Sequence, residues 1–125
     1  GVLIAGVLIA GRNWPRLVML VAMLPGGMLL NVAMKQAFQR ARPSFLDVAS
    51  SLPSYSFPSG HTMAATVLWA FMAAWLVQAL RPWRWRVLVV LGACLMVLLV
   101  GFSRLYLGAH YLSDVLAAMA EGIAW

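Results

Sequence analysis

The residues able to do chemistry fall into three short patterns. In the first, Lys35 is followed after six residues by Arg42-Pro43. Seven positions are about two helical turns, so both cations share a face while the helix lasts. Pro43 then ends the helix and pushes Arg42 out of it. Two such cations suit the non-bridging oxygens of a phosphate; the alternative is a pair of interfacial cations snorkelling to water. The second pattern is Pro58-Ser59-Gly60-His61. Ser59 reads as a helix N-cap and Gly60 permits close backbone approach. A helix amino terminus is a ready anion site. His61, in the first turn, is placed to donate a proton to a leaving oxygen.

The third pattern is Ser103-Arg104, then His110, then Asp114. His110 and Asp114 are four apart and predict neighbours on one face of a single helix. A carboxylate there accepts a hydrogen bond from one ring nitrogen and leaves the other unprotonated, as a nucleophile requires. A structural His–Asp pair is the plainer reading. A carboxylate inside an apolar helix costs about 2.5–3.5 kcal/mol on insertion scales, so a role is the default.

The elements that must position these residues are apolar. Hydrophobic residues make up 64% of the 125 and charged residues 10%, against about 45–50% and 25% in soluble domains. Lipid is therefore the expected solvent. The net charge of +6 would suggest nucleic acid in a soluble protein. Here the basic residues lie between apolar runs, so anionic lipid or a phosphate ligand is the expected partner and nucleic acid is not. The runs predict an all-α, polytopic transmembrane helix bundle with about four to five helices present. They are Val2 to Ala10, Leu17 to about Phe38 with Pro25-Gly26-Gly27 as a kink, about His61 to Leu80, about Val87 to Phe102, and His110 onward. Ser103 to Ala109 reads as a connector. Both terminal runs are shorter than the about 20 residues a crossing needs, so a single domain, 1–125, cut at both ends is expected. Cys94 lies in an apolar run and predicts a buried packing role.

If the runs alternate direction, Arg12, Arg16, Arg81, Arg84 and Arg86 share one face and Lys35, Arg40, Arg42 and Arg104 the other. Setting aside Lys35, Arg42 and Arg104 as ligand-binding leaves Arg40 alone. The positive-inside rule then places the Trp-Arg turn in the cytoplasm and the three patterns outside.

Jointly, the three patterns resemble the signature of the type 2 phosphatidic acid phosphatase superfamily. The match runs without a gap through Lys35, Arg42-Pro43, Pro58-Ser59-Gly60-His61, Ser103-Arg104, His110 and Asp114, over residues 35 to 114. It implies a six-helix membrane fold in the lipid branch. It also implies metal-independent hydrolysis of a phosphate monoester or pyrophosphate through a phosphohistidine, with no cofactor. By position, His110 would attack phosphorus, Asp114 would orient it and His61 would protonate the departing alkoxide. Lys35, Arg42 and Arg104, with Ser59 and Gly60, would hold the phosphoryl oxygens. The remaining acids, Asp47 and Glu121, form no carboxylate cluster for magnesium with Asp114, and zinc spacing is absent.

The expected protein is an integral enzyme of a bacterial cytoplasmic membrane. Phosphatidic acid, phosphatidylglycerol phosphate and undecaprenyl pyrophosphate all fit as substrates. Phe45, Leu46, Leu52, Tyr55 and Phe57 suit either contact with lipid chains or ordinary loop packing. The soluble vanadium haloperoxidases share the signature but not this hydrophobicity. A non-catalytic membrane protein that binds or transports a phosphorylated lipid would have no need of both histidines.

Overall fold

The apolar runs become five helices in a computed structural model, which describes residues 1–43 and 54–125. They are α1 (Val2–Ala10), α2 (Trp14–Phe38), α3 (Gly60–Ala79), α4 (Trp83–Tyr106) and α5 (Leu112–Ala124). Every regular element among the described residues is helical. By length and composition α2, α3 and α4 are each able to cross a membrane. Their outward side chains are those water would reject: Leu29, Leu91, Leu98 and Phe102 are all exposed. In lipid such a surface carries no penalty, and backbone polarity is satisfied inside each helix.

Helix α3 is the centre of the bundle and packs on α2, α4 and α5. Met63 and Val67 of α3 and Ala118 of α5 form one buried cluster; Leu8, Leu20 and Phe71 form another. Lipid removes most of the hydrophobic drive for helices to associate, so close approach through small residues matters more. Gly122 of α5 faces Thr66 of α3, where an added Cβ would come within 2.7 Å of the Thr66 Cβ and 3.3 Å of the Met63 carbonyl oxygen. Thr66 cannot easily swing away, because its hydroxyl donates to the Thr62 carbonyl at 2.8 Å. Gly92 on α4 meets nothing within 4 Å. We therefore expect Gly122→Ala to destabilise the bundle by about 1–3 kcal/mol. Gly92→Ala should be neutral or stabilising, by up to about 1 kcal/mol. Thermal unfolding of both variants in detergent checks the contrast.

Helix α2 continues through Pro25. The glycines beside it admit Trp125, whose ring would lie 2.7 Å from a Cβ on Gly26. The Trp125 indole N–H donates to the Met23 carbonyl at 2.9 Å. Helix α4 is longer than its apolar run predicts. The Trp-Arg stretch forms its first turn after Pro82, and Ser103 and Arg104 sit on its last turns rather than in a connector. The helix stops where Gly108 adopts φ 61°, the left-handed conformation that favours glycine. The Ala109 N–H then closes on the Arg104 carbonyl at 3.1 Å. Cys94 is exposed on α4, against the expectation of burial. An apolar run implies burial in water, but in lipid the same run also forms the outer surface.

The two ends of the bundle differ. At one, the Arg16 guanidinium lies 5.4 Å over the Trp75 ring and Arg86 Nε donates to the Val77 carbonyl at 3.1 Å. At the other, the three sequence patterns meet.

Candidate active site

Helix α2 stops at Phe38, where its apolar run ends and four residues before Arg42. Gln39 takes a left-handed turn, φ 44°, and its N–H bonds the Lys35 carbonyl at 2.9 Å. Arg42 therefore lies outside the helix and does not stack two turns above Lys35. Both cations still reach the same place. Lys35 Nζ donates to the Tyr55 carbonyl at 2.6 Å. Arg42 Nε and Nη2 donate to the Ser54 carbonyl and hydroxyl at 2.9 and 2.8 Å. Arg42 Nη1 donates to the Ala109 carbonyl at 3.0 Å and lies 3.5 Å from His110 Nε2.

His110 precedes α5 by two residues, so His110 and Asp114 do not share a helix face as the spacing predicts. Tyr111 is the N-cap and Asp114 occupies the third helical position. From there its Oδ2 turns back to accept the Tyr111 N–H at 2.9 Å, as the acidic member of a capping box does. His110 Nδ1 is left 3.6 Å from Oδ2, too far for a hydrogen bond. Two groups that no sequence pattern marked complete the carboxylate's shell. The buried Ser56 hydroxyl donates to Oδ2, and Arg40 Nη1 donates to Oδ1 at 2.8 Å. Arg40 also bonds the Ser113 hydroxyl at 2.7 Å and lies 4.2 Å over the Tyr111 ring.

Asp114 has no exposure and His110 only 6%. Burial, then the nearby charges of Arg42 and Lys35, push the His110 imidazole down to about 4, against weaker upward pulls from the Asp114 charge and the Ser56 backbone. The ring is therefore neutral near pH 7. In the ligand-free protein we expect its NMR titration midpoint near pH 4 rather than near the ordinary value of about 6.5. A midpoint of 6 or higher would contradict that environment. The sign for stability follows. The unfolded chain takes up a proton first, so His110 removes stability as pH falls from about 6.5 towards 4.

Ser59 is the N-cap of α3, as its position predicts, but its hydroxyl accepts the Thr62 hydroxyl at 3.0 Å instead of capping a backbone N–H. Its own N–H bonds the Asp114 carbonyl at 3.1 Å, joining the start of α3 to the start of α5. At Gly60 a Cβ would come 3.2 Å from the Asn31 Oδ1. His61 is exposed, in the field of Arg104, Arg42 and Lys35. Arg104 Nε donates to the Ser103 hydroxyl at 3.1 Å. All eight predicted site residues thus gather at one end of the bundle.

Glu121 pairs below them with the buried Asn31 amide at 2.9 Å. Phe57 packs on Phe38 with ring centroids 4.8 Å apart, as loop packing requires. Phe45, Leu46, Asp47 and Leu52 lie outside the described residues. Among the described residues, no three of His, Cys, Asp and Glu cluster as a metal site would need.

The PAP2 superfamily model matches residues 16–125. The chain belongs to the PAP2 superfamily. Its PAP2 relatives include phosphatidylglycerophosphatase B of Bacillus subtilis (strain 168), 36% identical over 95% of this chain and 58% of the relative. Lipid A 1-phosphatase of Rhizobium johnstonii is 40% identical over 79% of the chain and 39% of the relative. A crystal structure of a transmembrane PAP2 type phosphatidylglycerolphosphate phosphatase from Bacillus subtilis superposes with a TM-score of 0.82 at 33% identity. The superposition covers 95% of this chain and 59% of that one. The chain thus spans well under two thirds of the length of these relatives. PAP2 membership and the apolar helices make it an integral membrane protein.

Proposed function

We propose that residues 1–125 belong to one membrane domain that hydrolyses a phosphate monoester or pyrophosphate of a lipid through a phosphohistidine on His110. The observation that carries this reading is a buried, neutral imidazole whose Nε2 lies 3.5 Å from the Arg42 guanidinium at one end of an apolar bundle. A neutral imidazole has a lone pair to give, and a cation beside it meets the charge of an incoming phosphate.

In the first step the Nε2 lone pair bonds to phosphorus and the phosphorus–oxygen ester bond breaks. His61, protonated once the phosphate dianion offsets the three cations beside it, gives its proton to the departing alkoxide. In the second, His61 takes a proton from water, the hydroxide oxygen bonds to phosphorus, and the phosphorus–nitrogen pair returns to Nε2. Lys35, Arg42 and Arg104 hold the three outer oxygens. The opening N–H of α3 at Gly60 adds the pull of a helix amino terminus. Among the described residues Lys35 and Arg42 spend only some of their N–H donors on Tyr55, Ser54 and Ala109, so both retain donors for a ligand. Neither step requires a metal ion.

An apolar exterior that delivers the site to the bilayer surface favours a lipid substrate. Phosphatidic acid, phosphatidylglycerol phosphate and undecaprenyl pyrophosphate all meet the requirement, and the names of the relatives give weight to the second. The five-against-one charge asymmetry supports a site on the outer side of a bacterial cytoplasmic membrane.

The test is phosphate release by the full-length protein in detergent from each of these three lipids, with and without a chelator. We expect release from at least one lipid, unchanged by the chelator. Binding without release from any of them would instead indicate a non-catalytic lipid-phosphate binder.

A further inference from the structure

Building on the phosphatase reading, we propose that Ser56 and Arg40 are positioning residues that set the tautomer and aim of His110 through Asp114. The hydrogen-bond directions carry this. Ser56 has one hydroxyl proton, and it goes to Asp114 Oδ2. Towards His110 Nδ1, 3.5 Å away, the Ser56 oxygen is then an acceptor only. Nδ1 must carry the imidazole proton to meet it, which leaves Nε2 with its lone pair facing Arg42. The carboxylate cannot supply this contact alone. Its Oδ2 already takes the Tyr111 N–H at 2.9 Å and lies 3.6 Å from Nδ1.

Arg40 fixes the other end of the carboxylate. Its Nη1 holds Oδ1 at 2.8 Å, and stacking on Tyr111 holds the guanidinium. The two positioning residues are themselves tied, because the Ser56 N–H bonds the Arg40 carbonyl at 2.8 Å. Orientation therefore passes from Arg40 to Asp114, then to Ser56 and His110. Fixing the tautomer of a reacting histidine from behind is worth roughly 10- to 100-fold where partners of metal-bound histidines have been removed.

The test uses the full-length protein with 15N-labelled histidine. In the wild type the His110 spectrum should be that of the neutral Nδ1–H tautomer. In Ser56→Ala it should shift towards Nε2–H, with kcat down roughly 10- to 100-fold and KM within about twofold. Ser56→Cys, which keeps the packing, should show the same shift if Ser56→Ala does not fold. Arg40→Gln should lower kcat with KM unchanged. Because Ser56 acts through the same chain as Asp114, Ser56→Ala/Asp114→Asn should be little slower than Asp114→Asn alone. Retention of the Nδ1–H tautomer in the Ser56 variants overturns the proposal, as do losses that multiply in the double variant. A tautomer shift in a protein that releases no phosphate from any lipid supports the positioning and overturns the phosphatase reading.

Discussion

His110→Ala lowers kcat by about four orders of magnitude or more, abolishes the acid-labile phosphoenzyme, and leaves the bundle folded. The size follows from the role, since without Nε2 no covalent intermediate forms and only binding and charge remain to act on the phosphate. Survival of the fold follows from geometry. The side-chain polar neighbours of His110 among the described residues lie at 3.5, 3.5 and 3.6 Å, so its removal breaks no strong side-chain hydrogen bond. Phosphate release at saturating lipid, with acid-quench trapping of radiolabelled enzyme, measures the loss. A variant that keeps wild-type release would transfer the nucleophile to another residue.

Asp114→Asn is expected to lose roughly 10²- to 10⁴-fold in kcat and, unlike His110→Ala, to lower the melting temperature. The buried carboxylate accepts from Arg40 on one oxygen and from Ser56 and Tyr111 on the other. An amide has one acceptor oxygen. Turned towards Ser56 and Tyr111, it points its NH₂ at the Arg40 guanidinium. Turned the other way, it sets donor against donor at the Tyr111 N–H. Either arrangement leaves a buried group unmet, at about 1–3 kcal/mol. Paired measurement of kcat and thermal unfolding for both variants checks the contrast: chemistry lost alone for His110, chemistry and stability lost together for Asp114. Equal stability in the two would mean that the carboxylate shell contributes nothing to folding.

The placement of the candidate site was readable because its residues flank apolar runs whose alternation delivers Lys35, His61 and Arg104 to one end of the bundle. Local geometry was less readable. The spacing of His110 and Asp114 suggested one helix face, but the helix begins at Leu112, after an N-cap Tyr111 of a type that seldom caps. Arg42 was expected to leave the helix at Pro43, yet the chain had already turned at Gln39. Arg40 and Ser56 carried no sign of their contact with Asp114. Their meaning depends on a carboxylate 74 and 58 positions away, and only tertiary packing brings it to them. Cys94 shows the opposite failure, since an apolar run does not reveal which of its sides will face lipid.

The shell around Asp114 has a consequence for how such a chain could drift. Arg40 follows α2, Ser56 precedes α3 and Asp114 opens α5, so one carboxylate fastens three connections where lipid offers helices little reason to stay together. His110 fastens nothing comparably strong. A descendant relieved of selection for catalysis would be free to discard His110 early, while Asp114 and Arg40 would persist as architecture. Among inactive descendants, the retained carboxylate would then be the marker of ancestry and the missing imidazole the marker of lost chemistry.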